Sequence, residues 1–171
     1  MRSWIMETSA AFPAAFLTGL LLVASVREAG AEAWKLYLNA RYGTAAEYPA
    51  DRFRPERPPE NGDGQSFMAK DGAKLAIFAS LNVDGDTPAT YEAFLRGASS
   101  DYDEVTLRAS GSNWLVLSGY RGGSIFYERY IFVKRKDVDT IHGFVITYGR
   151  DAKAVYDPIA ARIARTLHSA R

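Results

Sequence analysis

The chain contains no cysteine. That absence excludes disulfide staples, thiol catalysis and any zinc or iron–sulfur site built on thiolates. It also excludes the lipid anchor of bacterial lipoproteins, which is attached to a cysteine. Histidine is nearly as scarce: only His142 and His168 are present, far apart in sequence, so a histidine metal site lacks its usual ligand set. Charge of one sign is not in excess. The 21 Lys and Arg residues face 20 Asp and Glu residues for a net +1, whereas nucleic-acid binding calls for a concentrated basic face. No Gly-x-Ser-x-Gly elbow, P-loop or GxGxxG fingerprint occurs. Arg121-Gly122-Gly123-Ser124 is glycine-rich, but it joins two strand-like runs instead of opening a helix. It therefore lacks the amide nest and helix dipole that hold phosphate. No cofactor is implied.

What is present points first to export. Arg2 precedes an apolar run from Ala10 to Val26, broken by Pro13 and Gly19 and followed by Ala29-Gly30-Ala31 and Ala31-Glu32-Ala33. A positive start, a short apolar stretch and small-x-small steps form a secretory signal. The run falls short of the roughly 20 residues needed to span a bilayer. Residues 1–33 are read as a signal peptide cut after Ala31 or Ala33, leaving a periplasmic or secreted domain, 34–171, with no membrane span. The alternative is a retained N-terminal anchor.

The whole 171-residue chain is 47% hydrophobic and 13% aromatic, ample for a core, and what remains after this segment is one domain's worth. Its longest regular signal is a hairpin: Trp114–Tyr120 and Ser124–Lys134 alternate with period two around Arg121-Gly122-Gly123. A second hairpin joins Gln65–Lys70 to Lys74–Leu81 through Asp71-Gly72, with Leu75, Ile77 and Ala79 on one side. Trp34–Pro49 reads as two short strands turning near Gly43, and Asp51–Gly64, with three prolines and two glycines, as an irregular surface loop. Asp103–Ser110 is a strand with Val105 and Leu107 inward, and Asp139–Tyr148 is the last strand, with His142 on the parity of Phe144, Ile146 and Tyr148.

Two helices are expected. Asn82–Pro88 does not fit a calcium loop, because Thr87 stands where the sixth-position glycine belongs and Ala93 where the twelfth-position glutamate belongs. Instead Asp86 or Thr87 caps a helix with Pro88 in its first turn and Tyr91, Phe94 and Leu95 on its apolar face; Gly97 and Ser99-Ser100 end it. Near the C-terminus Val155, Ile159, Ile163 and Leu167 recur at helical spacing, with Asp157-Pro158 as its cap and first residue. His168 is placed to meet the last helical carbonyls. The fold class is α+β: a largely antiparallel sheet of about six to eight strands, with a mid-chain and a C-terminal helix packed on it.

A short strand pair ending in Tyr48-Pro49, a mid-chain helix, a meander of long strands and a terminal helix resemble the PsbP-like sandwich. That fold is shared by the extrinsic photosystem subunit, the Mog-type Ran-binding proteins and many exported bacterial proteins. The segments RYGTAAEYPADRF, NGDGQSF, NWLVLSG, FYER and YDPIAARIA look like those of one uncharacterised family of exported proteobacterial proteins. The PsbP pattern has a tryptophan a few residues after Tyr-Pro; here Phe53 stands near that place. No residue matches a photosystem or Ran contact, so the resemblance carries over no site.

These readings favour an exported, non-catalytic binding or accessory protein acting through a protein or cell-envelope component. The candidate contacts are Arg52, Arg54 and Arg57 on the irregular loop and Tyr120 with Arg121 at the hairpin rim. Lys134-Arg135-Lys136, answered by Asp137 and Asp139, reads as a solvated basic tip. Two alternatives stand beside this reading. One is an enzyme pairing His142 with Glu128, with Ser118 or Tyr127 nearby; the other is a carrier of a small apolar ligand, which requires a cavity of roughly 300 Å³ or more.

Overall fold

Hydrophobic alternation and glycine turns build most of the molecule. The computed structural model describes residues 32–98 and 101–171. The expected signal segment up to Ala31 and the Ser99-Ser100 helix end lie outside them. Among the described residues no helix is long and apolar enough to cross a membrane.

The central hairpin forms as its pattern dictates. Strands β7 (Trp114–Arg121) and β8 (Ser124–Val133) pair antiparallel, with Arg121 opposite Ser124. The two residues between them, Gly122 and Gly123, have φ of 54° and 77°. Two consecutive positive φ angles match the twist of the strands, and glycine takes them without a steric cost. Around this hairpin lie β6 (Glu104–Ser110) on one side and β9 (Thr140–Tyr148) on the other. Beyond β9 come β5 (Lys74–Leu81), β4 (Gly64–Ala69) and β3 (Phe53–Pro55). The resulting seven-stranded order is β3-β4-β5-β9-β8-β7-β6, antiparallel throughout.

Both faces of this sheet are covered. On one, Leu75, Ile77, Phe144 and Ile146 pack against Tyr156, Ile159 and Ile163 of helix α2 (Lys153–Thr166). On the other, Leu115, Leu117, Phe126 and Tyr130 pack against Tyr91 and Leu95 of helix α1 (Pro88–Ala98). Each large side chain fully removed from water contributes about 1.5–3 kcal/mol. Of the hairpin aromatics, Phe126 and Tyr130 are thus core, while Tyr120, Tyr127 and Phe132 are half-buried beside it.

Several expectations are corrected. The Trp34–Pro49 strands, β1 (Trp34–Leu38) and β2 (Thr44–Pro49), do not join the main sheet; with β10 (His168–Ser169) they form a separate three-stranded sheet, β1-β2-β10. Two residues carry no periodicity, so β10 is invisible in sequence. The Asp51–Gly64 loop contains β3, whose Phe53 is fully buried. Its Pro55 is tolerated because β3 is an edge strand.

The C-terminal helix begins before Asp157-Pro158. It starts at Lys153, directly after a 3-10 turn at Arg150–Ala152, and runs through Pro158. The buried stripe is Tyr156, Ile159, Ala160 and Ile163, while Val155 is exposed. Phe94 of α1 is also exposed, leaving Tyr91 and Leu95 as that helix's contacts. The start of α1 follows expectation, with the Thr87 hydroxyl accepting from the Thr90 N–H at 3.3 Å and Pro88 as first residue. His168 Nδ1 lies 2.8 Å from the Thr166 carbonyl, as expected of a residue beside the helix end.

Leu107 was expected to face inward with Val105. The pairing of β6 with β7 shifts between these two residues, and the extra residue, Thr106, turns Leu107 to the opposite face, where it is 46% exposed. Close approach allows the bulge: a Cβ at Gly119 would stand 1.9 Å from the Glu104 carbonyl oxygen, so only glycine fits there.

Candidate functional site

The bulge and the small residues of α2 together open a groove. Helix α2 covers β8 and β9 but leaves space toward β6 and β7. One wall is Lys153, Asp157, Ala160 and Ala161 of the helix. The other is Thr106, Leu107, Ser118, Gly119 and Tyr120, and Ile125, Tyr127 and Tyr148 form the floor. The volume is about 300 Å³, at the lower end of the range for small-molecule sites.

Polar atoms in the groove are few and mostly tied. The Tyr148 hydroxyl donates to Asp157 Oδ1 at 2.8 Å, and Lys153 pairs with the other Asp157 oxygen. The Ser118 hydroxyl donates to the Phe126 carbonyl at 2.7 Å. Burial, reinforced by the bond to Asp157, pushes the Tyr148 phenol well up, and burial also raises Tyr127. Both phenols stay neutral at ordinary pH and act as hydrogen-bonding groups. At the hairpin end the Arg150 guanidinium stacks 3.9 Å over the Tyr120 ring and donates to the Gly123 carbonyl, closing that rim. The lining offers shape, rings and one polar end at Lys153 and Asp157. It contains no histidine to activate the Ser118 hydroxyl.

The proposed pairing of His142 with Glu128 is not formed. Strands β8 and β9 are neighbours, but His142 sits opposite Ile131 and Glu128 opposite Val145. Positions 128 and 131 have opposite parity on one strand, so the two side chains lie on opposite faces of the sheet. His142, fully buried, has Nδ1 2.8 Å from Thr44 Oγ1 and Nε2 3.0 Å from Thr140 Oγ1. Each ring nitrogen thus meets a threonine hydroxyl, which can donate or accept, so the neutral imidazole is satisfied without water. Burial first, and the Arg135 charge second, push the imidazole down to about 4.

Glu128, 2% exposed, belongs to the α1 side. Its carboxylate accepts from the Tyr102 hydroxyl and from the Tyr130 hydroxyl at 2.9 Å, with Arg121 Nη2 at 3.9 Å. Desolvation raises its pKa against the lowering effect of these partners, and burial beside it pushes Tyr91 up to about 12.

The five candidate contact residues fall in separate places. Arg52 pairs with Glu32 at 2.9 Å and stacks over the Tyr156 ring, beside a hollow of about 270 Å³. Arg54 and Arg57 are exposed near the β3 edge. Tyr120 lines the groove, while Arg121 turns to the other face and lies over the Tyr102 and Phe126 rings at 4.5 and 4.9 Å. Four strands separate β3 from β7. Of the groove residues, the sequence pattern singled out Tyr120, Ser118 and Tyr127. It missed Leu107, hidden by the bulge, and the Ala160-Ala161 wall, whose only signal is small side chains beside a helical apolar stripe.

No protein-family model matches the chain, and no curated protein does. Solved structures do. The chain is similar to cyanobacterial PsbP (CyanoP) from Synechocystis sp. PCC 6803, with a TM-score of 0.56 and 12% identity over 86% of this chain and 98% of that one. It is also similar to LpqN, involved in cell envelope biogenesis of Mycobacterium tuberculosis, with a TM-score of 0.50 and 12% identity over 79% and 89% of the two chains. At such identity the likeness establishes the fold, a PsbP-like α+β sandwich with two antiparallel sheets and two helices.

Proposed function

We propose that the chain is an exported, non-catalytic binding protein of the cell envelope that holds a small apolar ligand in the groove between α2 and β6–β8. The observation that carries this reading is the groove itself, about 300 Å³ between ring-bearing strands and the alanines of α2. Export rests on residues 1–33, with cleavage after Ala31 or Ala33, and on the likeness of several segments to exported proteobacterial proteins. The envelope role of LpqN supports the same setting.

The test uses N-phenyl-1-naphthylamine, an apolar fluorophore. Saturable fluorescence enhancement is expected with the wild-type protein. Ala161 is exposed on the groove wall, so Ala161→Trp fills the space without entering the core. The substitution should weaken probe binding at least about tenfold, corresponding to about 1.4 kcal/mol, with the unfolding midpoint unchanged. Equal binding by both proteins, or none by the wild type, rejects the groove.

A second reading, a protein partner, is favoured by β1. It is an edge strand carrying Leu36 and Leu38 at 61% and 56% exposure, a surface open to strand addition. A photo-crosslinker replacing Leu36 should capture one reproducible periplasmic protein. Recovery of none would remove this reading and leave the ligand reading intact.

A further inference from the structure

Away from the groove, three arginines converge on one small pocket that holds a single acidic side chain, Asp137. Arg41 comes from the β1–β2 turn, Arg135 from the β8–β9 connection and Arg171 from the tail beyond β10. With Tyr42, Leu81 and Thr140 they line a pocket of about 190 Å³. None of the three forms an ion pair among the described residues, and all seven ion pairs there involve other side chains. Asp137 is on the rim and does not pair with them either. Three arginines against this one aspartate leave the pocket positive.

The cations are fastened, not merely gathered. Arg171 Nη1 and Nη2 donate to the carbonyls of Arg41 and Ala40 at 3.1 and 2.6 Å. Gly43 makes room for its stem: a Cβ there would stand 2.7 Å from Arg171 Cγ. Arg135 donates through Nη2 to Ser169 Oγ at 2.7 Å and through Nε to the buried Thr140 Oγ1 at 3.4 Å. Arg41 donates through Nη1 to the Asn61 carbonyl. Each guanidinium carries five N–H donors. Protein acceptors take one on Arg41, two on Arg135 and two on Arg171, all from oxygens that are formally neutral. Most donors are left for a ligand, already oriented, so little side-chain entropy remains to be lost on binding.

The geometry points to an anion-binding site at this pocket, taking a phosphate-type oxyanion bridged between Arg41, Arg135 and Arg171. Guanidinium forks match the oxygens of phosphate in pairs, and charge-assisted hydrogen bonds are about twice as strong as neutral ones. A free phosphate ester and a lipid headgroup present the same group. Three like charges around one pocket repel one another until an anion enters, so occupancy also stabilises the fold by linkage. His142 reports on the site through Thr140, since it feels the Arg135 charge.

The experiment is a titration of the full domain with sodium pyrophosphate in low salt, followed by calorimetry and by the NMR resonances of the His142 ring. Saturable one-site binding is expected, with His142 shifting along the same curve, and raising the salt should weaken it. Arg135→Gln should lower affinity at least about tenfold, as should Arg41→Gln, which leaves the Arg135 and Arg171 tethers in place. Arg54→Gln, at the other end of the molecule, should bind as the wild type does. In parallel, vesicles of phosphatidylglycerol are compared with vesicles of phosphatidylcholine. Retention only on the former, lost in Arg41→Gln, with weak pyrophosphate binding, assigns a headgroup; strong pyrophosphate binding without vesicle retention assigns a soluble phosphate. Absence of both, or binding unchanged in both arginine variants, overturns the site.

Discussion

Glu128→Ala should cost the fold about 3–5 kcal/mol, the penalty for removing one partner from a buried charged network. The carboxylate is 2% exposed and is the shared acceptor for the Tyr102 and Tyr130 hydroxyls, with Arg121 beside it. Without it, the Tyr130 hydroxyl is left buried and unbonded, and the guanidinium of Arg121 loses its nearest inward anion while stacked on Tyr102 and Phe126. Arg121 can still turn toward Asp101, 3.6 Å from its Nε, so the loss comes chiefly from the tyrosines and the cavity. Glu128→Gln keeps the volume and an acceptor oxygen and should lose less than half as much. Urea unfolding of the three proteins at pH 7 measures the difference. Equal midpoints for Glu128→Ala and the wild type would show that the network contributes nothing.

Acidification should destabilise the protein by about 3 kcal/mol between pH 7 and pH 4 through His142 alone. The imidazole lies at about 4 in the folded chain against 6.5 in the unfolded one. The unfolded chain therefore takes up the proton first. The stability held by the neutral ring is fully present above about 6.5 and is lost as pH falls toward 4. Protonation would put a proton on both ring nitrogens and a charge in a site with no exposure to water. His142→Gln keeps a neutral hydrogen-bonding group and should flatten this part of the stability curve. Glu128 works in the other direction. Its raised carboxyl binds a proton more readily when folded, so its contribution diminishes as pH rises above 4.5 through the folded value. Wild-type stability measured by urea at half-unit pH steps, with each variant, separates the two groups. An unchanged slope in His142→Gln would refute the assignment of a neutral buried ring.

The opposite placement of these two groups leaves no trace in the sequence. Strand adjacency of β8 and β9 could be guessed from a meander. Register could not, because a shift of one residue exchanges the faces. Only the observed pairing of His142 with Ile131 puts the histidine under the three-stranded sheet and Glu128 under α1. The groove was illegible for a related reason. Leu107 enters it because Thr106 is a bulge, a backbone event licensed by Gly119 on the neighbouring strand. The alternating pattern of Asp103–Ser110 contains no mark of it.

Local chemistry alone determined much of this protein. Adjacent glycines set the turn of the central hairpin, Asp71-Gly72 set the next, and period-two alternation set the long strands, because these preferences are satisfied within a few residues. The missing cysteines and balanced charge likewise narrow the chemistry open to it. The tertiary structure alone decided which strands form a second sheet, where the terminal helix starts, which side of each strand meets which helix, and where the groove and the arginine pocket open. Tyr156 and Ile159, packed onto the sheet, hold α2 continuous through Pro158. Arg41, Arg135 and Arg171 share a pocket although 130 residues separate the first from the last, joined by the hydrogen bond from Arg171 to the Arg41 carbonyl. Such features depend on contacts between distant segments, and pairwise packing across that distance leaves no periodic trace in the chain.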